Sequence, residues 1–380
     1  MRKLFILACM VVLTLAACNN NKNQSQNHTQ NTTLKDALGK YGILAGVAVN
    51  VDEVAGRTPK AQDVITANFS SIVAENCMKH ESIEPEEGKF VFDDADSLVA
   101  FGEKNGMKVI GHCLVWHNQC APWLFEKPKE GGKLTRDILI ERMKNHITTM
   151  VKRYKGRIHG WDVVNEAIED DGSFRQTPFY QIIGPDFIEI ALKTAHEADP
   201  DAELYLNDFS MSKPEKRAKY VELINDLKAK GCRIDAIGMQ SHNGDDYPEL
   251  DEYEKSIDEF AKCGVKVMMT ELDLNILPKP EKFGEGANVV EDYSYREEMD
   301  PYKNGLDEKG EQLFEQRYLD FFNIYLKHKD QISRITLWGV SDKTSWLNDW
   351  PIKGRTAYAL LFDRDYNPKP VLQKIVDLLK

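Results

Sequence analysis

The sequence predicts an α/β protein, a single (β/α)8 barrel of the TIM type spanning residues 34–380. Three observations lead there. Eight short apolar runs recur along the chain with amphipathic stretches between them, the alternation that builds parallel strands joined by helical crossovers. No Gly- or Pro-rich linker and no repeat of fixed period divides the region, so it reads as one catalytic-sized domain. Polar residues gather where the apolar runs end, which is where a barrel keeps its chemistry.

Residues 1–17 stand outside the fold. Arg2 and Lys3 form a short positive region, and Leu4 to Leu15 is apolar but too short to span a bilayer, as in a signal peptide. The segment closes Leu15-Ala16-Ala17-Cys18, which resembles the bacterial lipobox. That resemblance implies lipidation of Cys18 and an exported, membrane-anchored lipoprotein, without naming the side of the membrane. Residues 18–33 follow as an Asn-rich tether: from 19 onward they hold six Asn, three Gln and no aliphatic or aromatic side chain, so nothing there can be buried.

Within the domain the strand candidates are Gly42–Val49, Ser71–Glu75, Val109–Trp116, Ile158–Asn165, Glu203–Asn207, Ala236–Gln240, Val265–Thr270 and Ile335–Trp338. Helical periodicity marks Arg136–Arg153, Phe187–Ala198, Lys216–Lys230 and Glu311–Lys327 between them. Leu277–Leu306 is the longest irregular stretch, a loop that either shapes the site or decorates it.

Composition narrows the function. The formal charge is −12 and becomes −14 once Arg2 and Lys3 leave with residues 1–17. With no basic stripe to offset it, such a chain repels nucleic acid. Nothing indicates an obligate protein partner. The domain keeps Cys77, Cys113, Cys120, Cys232 and Cys263, an odd number without a Cys-x-x-Cys pair, so neither a disulfide scaffold nor a zinc site is indicated. A single Cys113–Cys120 bridge stays open.

The strand ends carry the chemistry. The fourth run ends Trp161-Asp-Val-Val-Asn-Glu166 and the seventh Val267-Met-Met-Thr-Glu271-Leu-Asp273. An uncompensated carboxylate at an apolar strand end is costly, and two of them call for a chemical reason. Opposed carboxyl groups working without a metal are the machinery of glycosidic bond cleavage. Other ends contribute Glu75, Asn76 and Lys79; His112 and Trp116; Asn207 and Asp208; Gln240 and His242; and Trp338. Side chains two apart on a strand share a face, so His112 and Trp116 point together and His117 points away, which argues against a His112–His117 metal pair. Gln240 with His242, and Glu271 with Asp273, are likewise same-face pairs. His242 is thereby positioned to bridge Glu271 and Asp273 and to hold Glu271 ionised. Asn165 and Glu166 are adjacent, and alternation sends them apart unless a bulge or the strand end intervenes.

Seven blocks occur in order: Glu75-Asn-Cys-Met-Lys79, Gly111-His-Cys-Leu-Val-Trp-His117, Trp161-Asp-Val-Val-Asn-Glu-Ala167, Leu206-Asn-Asp208, Gln240-Ser-His242, Thr270-Glu-Leu-Asp273 and Trp338-Gly-Val-Ser-Asp-Lys-Thr-Ser-Trp346. Together they resemble glycoside hydrolase family ten, the endo-β-1,4-xylanases, over the whole of residues 34–379. The resemblance implies hydrolysis of internal xylan linkages with retention and without a cofactor, xylan and xylooligosaccharides being the partners. It makes Glu271 the nucleophile and Glu166 the acid/base, with carboxyl groups about 5–5.5 Å apart and the Glu166 pKa raised by the charge of Glu271. It implies that Asn165 meets the sugar 2-hydroxyl, that His112, Lys79, Trp116 and Gln240 floor the cleaved-sugar subsite, and that Glu75, Asn76 and Trp338 form the next one. His242 joins the substrate-binding set, Trp346 covers the site, and Asp273 and Asn207 stand behind it.

Some residues read two ways. Taken alone, Lys79 reads as a surface lysine, Asp208 as part of a turn or helix cap, and Gln119 as either a cleft residue or a loop hydrogen bond. Three positions depart from the family pattern: His80 where Trp is usual, Phe209 where Tyr is common, and Leu347 where Arg is frequent. Opposed glutamates do not name the sugar, so a β-1,4-glucanase and a noncatalytic glycan-binding barrel stand as rivals.

Overall fold

The computed structural model describes residues 32–129, 131–280 and 293–380. The leader, Cys18 and most of the predicted tether lie outside the described residues, as do positions 281–292 of the long loop. The barrel strands are β1 Leu44–Val49, β2 Ser71–Ala74, β3 Lys108–Val115, β4 Gly160–Asn165, β5 Glu203–Asp208, β6 Ala236–Met239, β7 Lys266–Asn275 and β8 Ile332–Leu337. Each pairs in parallel with the next. β8 returns to β1 and closes the cylinder. A three-residue strand, His242–Gly244, lies against the end of β7 through the pairs His242–Asp273 and Gly244–Asn275.

The strands read as continuous apolar runs because both faces are covered. Along β1, Val47 and Val49 face the helical layer, while Ala48 joins Val73, Ile110, Tyr205, Ala236 and Met268 in a small inner cluster beneath Trp338. The helices present one stripe to the sheet. In Leu250–Lys262 the buried residues are Tyr253, Ser256, Ile257 and Phe260, a spacing of three, four and seven.

Where boundaries differ from the sequence expectation, the cause is local. β1 starts at Leu44 because Gly42 is a turn residue with φ +73°. β8 starts at Ile332, three residues early, because Arg334 interrupts the apolar run; its buried guanidinium sits 5.3 Å from the Tyr205 ring. β7 runs past Thr270 to Asn275, so Glu271 and Asp273 are within the strand rather than beyond it. Thr33, assigned to the tether, instead caps the first helix, Leu34–Gly39, with its backbone N–H donating to Asp36 at 3.2 Å. Cys113 and Cys120 are free thiols, so the bridge left open by the sequence is not formed. Among the described parts of the long loop, Leu277 and Met299 are buried. Asp300 accepts the Thr356 N–H at 2.8 Å, so this stretch braces the segment after Trp346.

Candidate active site

The C-terminal strand ends surround a cleft of about 180 Å³. Its wall holds Glu75, Asn76 and Lys79 after β2, His112 and Trp116 on and after β3, and Asn165 and Glu166 at the end of β4. Gln240 and His242 follow β6, Glu271 comes from β7, and Trp338 and Trp346 come from the segment after β8. Gln119 lines the cleft too, and no described residue of the 277–306 loop does. Asn207 and Asp273 are buried just behind, each touching the cleft residues through hydrogen bonds.

Glu166 reaches the cleft by leaving the strand. It has φ +59°, a left-handed conformation that costs a non-glycine residue of order 1 kcal/mol. Its N–H is held by the Asn207 carbonyl at 2.8 Å, and its own carbonyl accepts from Arg175 Nε at 3.1 Å. The turn overrides alternation, and adjacent Asn165 and Glu166 both face inward. β3 is irregular as well: three steps from His112 to Val115 pair with two from Asp162 to Val164. His112 and Trp116 share the cleft as expected, although the strand between them is irregular.

Glu271 is surrounded by donors. Asn207 Nδ2 donates to Oε1 at 2.7 Å, and His242 Nε2 stands 3.2 Å from Oε2. The other His242 nitrogen meets Asp273 Oδ2 at 3.0 Å, and Trp346 Nε1 donates to that same oxygen at 2.7 Å. Burial works against a charged His242, but the carboxylates of Asp273 and Glu271 outweigh it and push its pKa up to about 10. His242 is therefore an imidazolium at neutral pH. Burial also works against ionised Glu271. The His242 hydrogen bond, the charges of His112 and His242, and the Asn207 amide together hold its pKa below the ordinary carboxylate value.

Glu166 is treated oppositely. Trp116 Nε1 donates to Oε2 at 2.7 Å, and Gln240 Nε2 to Oε1 at 3.0 Å. These neutral donors only partly offset burial and the negative charge of Asp208, and the pKa rises. The charge expected to do this was Glu271; the anion that raises it is Asp208. Asp208 is no turn or cap. It is fully buried, bonded to Lys216 Nζ at 2.8 Å and to the Tyr220 hydroxyl at 2.7 Å. Those partners come from the helix Pro214–Ala229, out of reach of any reading of strand ends. The Phe209 ring, where the family pattern has Tyr, packs 4.1 Å from the Lys216 ammonium.

Three amides span the space between the carboxylates. Asn207 Nδ2 also donates to Asn165 Oδ1 at 2.9 Å, and Gln240 Nε2 reaches the same oxygen at 3.3 Å. Thr270 Oγ1 fixes the far side of Asn207 at 2.6 Å. Gly238 makes room for this: a Cβ there would lie 2.3 Å from Asn207 Oδ1.

On the opposite wall, Lys79 is buried rather than a surface lysine. Its Nζ donates to Asn76 at 2.9 Å and Gln119 at 2.6 Å, 5.0 Å from the Trp116 ring. Burial lowers its pKa, while it raises that of half-buried Glu75. Gln119 is thus both a cleft residue and a loop hydrogen bond. His112 is oriented by buried Asp162 at 3.0 Å, a partner that strand-end reasoning missed. Trp346 stacks on Trp350 at 4.6 Å. Two buried carboxyls whose pKa values move in opposite directions therefore face a single cleft walled by indole rings and amides.

Residues 33–378 match the sequence profile of glycosyl hydrolase family 10. The chain is 56% identical over 346 residues to endo-1,4-beta-xylanase A of Xylanibacter ruminicola, covering 91% of this chain and 93% of that one. It is 39% identical to the endo-1,4-beta-xylanase of Geobacillus stearothermophilus, over 83% and 91% of the two chains. Among solved structures it resembles a GH10 endoxylanase from a sugarcane soil metagenome, with a TM-score of 0.86 and 43% identity over 92% of this chain and all of the other.

Proposed function

The chain belongs to glycosyl hydrolase family 10 and is an endo-1,4-β-xylanase, and on that premise we propose that it cleaves xylan with retention, Glu271 as nucleophile and Glu166 as acid/base. The observation that carries this assignment is the opposite bias of two buried carboxyls in one cleft. Glu271, kept ionised, attacks the anomeric carbon while Glu166 gives its proton to the leaving oxygen. Once Glu271 is consumed as an ester, a water enters and Glu166, now the base, takes its proton. The water oxygen bonds to the anomeric carbon as the ester breaks, which returns both groups to their starting states. On this reading His112, Lys79, Trp116 and Gln240 grip the sugar undergoing cleavage, Asn165 meets its 2-hydroxyl, Glu75, Asn76 and Trp338 hold the neighbouring sugar, and Trp346 covers the site.

Proton NMR of the first product from xylohexaose tests the assignment. A β-anomer that mutarotates afterwards is expected; an α-anomer would overturn retention and the nucleophile role with it. The export reading is also a proposal, supported by Leu15-Ala16-Ala17-Cys18. Among the described residues no helix is long and apolar enough to cross a membrane. Labelled palmitate should enter the wild-type chain and not Cys18→Ala.

A further inference from the structure

Beneath the Lys79 side of the cleft, two imidazoles and a carboxylate meet in a buried cluster that the xylanase chemistry does not use. The short helix His80–Ile83 supplies His80, Glu84 follows it, and the helix Arg136–Arg153 supplies His146. All three are buried, with His146 and Glu84 each about 1% exposed. One ligand atom from each lies within 4.8 Å of the others. Glu84 Oε2 is 3.0 Å from His146 Nδ1 and 4.0 Å from His80 Nε2. Tetrahedral ligation with metal–nitrogen bonds of about 2.0–2.1 Å needs edges of roughly 3.4 Å, between those two values.

Two further observations point to a cation. His80 Nε2, the ring atom nearest Glu84, is buried with no hydrogen-bond partner among the described residues, an expensive state for a polar group unless something meets it. Glu84 also faces a cavity of about 310 Å³ whose wall includes Glu87, Glu141, Trp123 and Arg142, with Arg142 paired to Glu87 at 2.7 Å, an opening through which water and an ion reach the carboxylate. Its other oxygen, Oε1, is fixed by the Gly88 N–H at 3.0 Å, which leaves Oε2 aimed at the imidazoles.

We propose that His80, Glu84 and His146 form a zinc site, with a water from the cavity as fourth ligand. Two nitrogens and one carboxylate oxygen suit zinc, and no redox chemistry is asked of the ion. Binding shifts a proton within each ring and releases none. His80 Nδ1 accepts the Ala121 N–H at 3.2 Å, so the proton of the neutral ring sits on Nε2 and moves to Nδ1 on ligation, giving up that long hydrogen bond. His146 Nδ1 meets Glu84 Oε2 at 3.0 Å, so its proton sits on Nδ1 and moves to Nε2 as Nδ1 takes the ion. The ion would then pin the segment after Lys79 to the helix Arg136–Arg153. Spacing in the sequence hides the site, since His146 is brought in by the fold.

The test uses the whole protein, stripped with a chelator, then titrated with zinc chloride by calorimetry and with cobalt chloride in the visible spectrum. One equivalent of zinc, the intense bands of tetrahedral cobalt and a thermal midpoint that climbs with zinc are expected. His80→Trp, the residue usual in the family, and Glu84→Gln should each lose the equivalent. Wild-type protein that takes up no equivalent, or an equivalent that persists in a folded variant, overturns the proposal. If neither variant folds, the cobalt spectrum of the wild type decides: absent or weak octahedral bands overturn it.

Discussion

Glu166 and Glu271 are buried to the same degree, about 6% and 5% exposed, and share one cleft, yet their proton affinities move in opposite directions. Burial alone would raise both. The difference lies in what stands behind each: an imidazolium and an amide behind Glu271, an anionic aspartate and neutral donors around Glu166. The division of labour is therefore written in the layer behind the carboxyls. The two residues are chemically identical until His242 and Asp208 are counted.

The sharpest way to break this comparison is to remove each carboxyl and vary the leaving group. Glu271→Ala should abolish turnover on xylan and on an activated aryl xyloside alike. Glu166→Ala should lose roughly 10²–10⁴-fold on xylan but keep much of the first step on the aryl substrate, whose phenolate needs no proton. Equal losses on both substrates would refute the assigned roles. Next in size is His242→Gln, which takes away a charged hydrogen bond of about 1.5–3 kcal/mol and should slow xylan hydrolysis by at least tenfold. Its acid limb in kcat/KM should move to higher pH, because Glu271 must ionise without the imidazolium that favours the anion. Asp208→Asn acts on the other carboxyl: with the anion gone and Lys216 left charged, Glu166 gives up its proton more readily, and the basic limb should retreat to lower pH. An unmoved limb in a folded variant would show that Asp208 does not govern Glu166.

The smallest effect is on stability. His242 has its pKa raised from 6.5 to about 10, so its contribution is complete below the unfolded value and is lost progressively as pH rises through the folded one. The gap in thermal midpoint between wild type and His242→Gln should therefore narrow between about pH 7 and pH 10. A gap that widened there would reverse the sign of the argument.

The eight apolar runs were legible because parallel strands are covered on both faces. Arg334 hid the start of β8, since a buried guanidinium looks like a surface residue until its place inside the barrel is known. The residues of the cleft were legible as strand ends. Two things were not. The left-handed turn at Glu166 is a backbone event without a glycine to announce it, so alternation could not place its side chain. Asp208, Lys216 and Tyr220 form their cluster across a strand and a helix, and only distance in space joins them. His80, Glu84 and His146 were hidden for the same reason.

The amides of Asn165, Asn207 and Gln240 are the protein groups that connect the two carboxyls by hydrogen bonds. An amide donates firmly but does not pass a proton along as a hydroxyl or imidazole does. The bridge is thus an insulator. Position is transmitted across it, while among the described residues a proton on Glu166 has no route through side chains to Glu271. Between turnovers the site stays charged like a cocked spring with its catch set, and the substrate's own oxygen is what releases it.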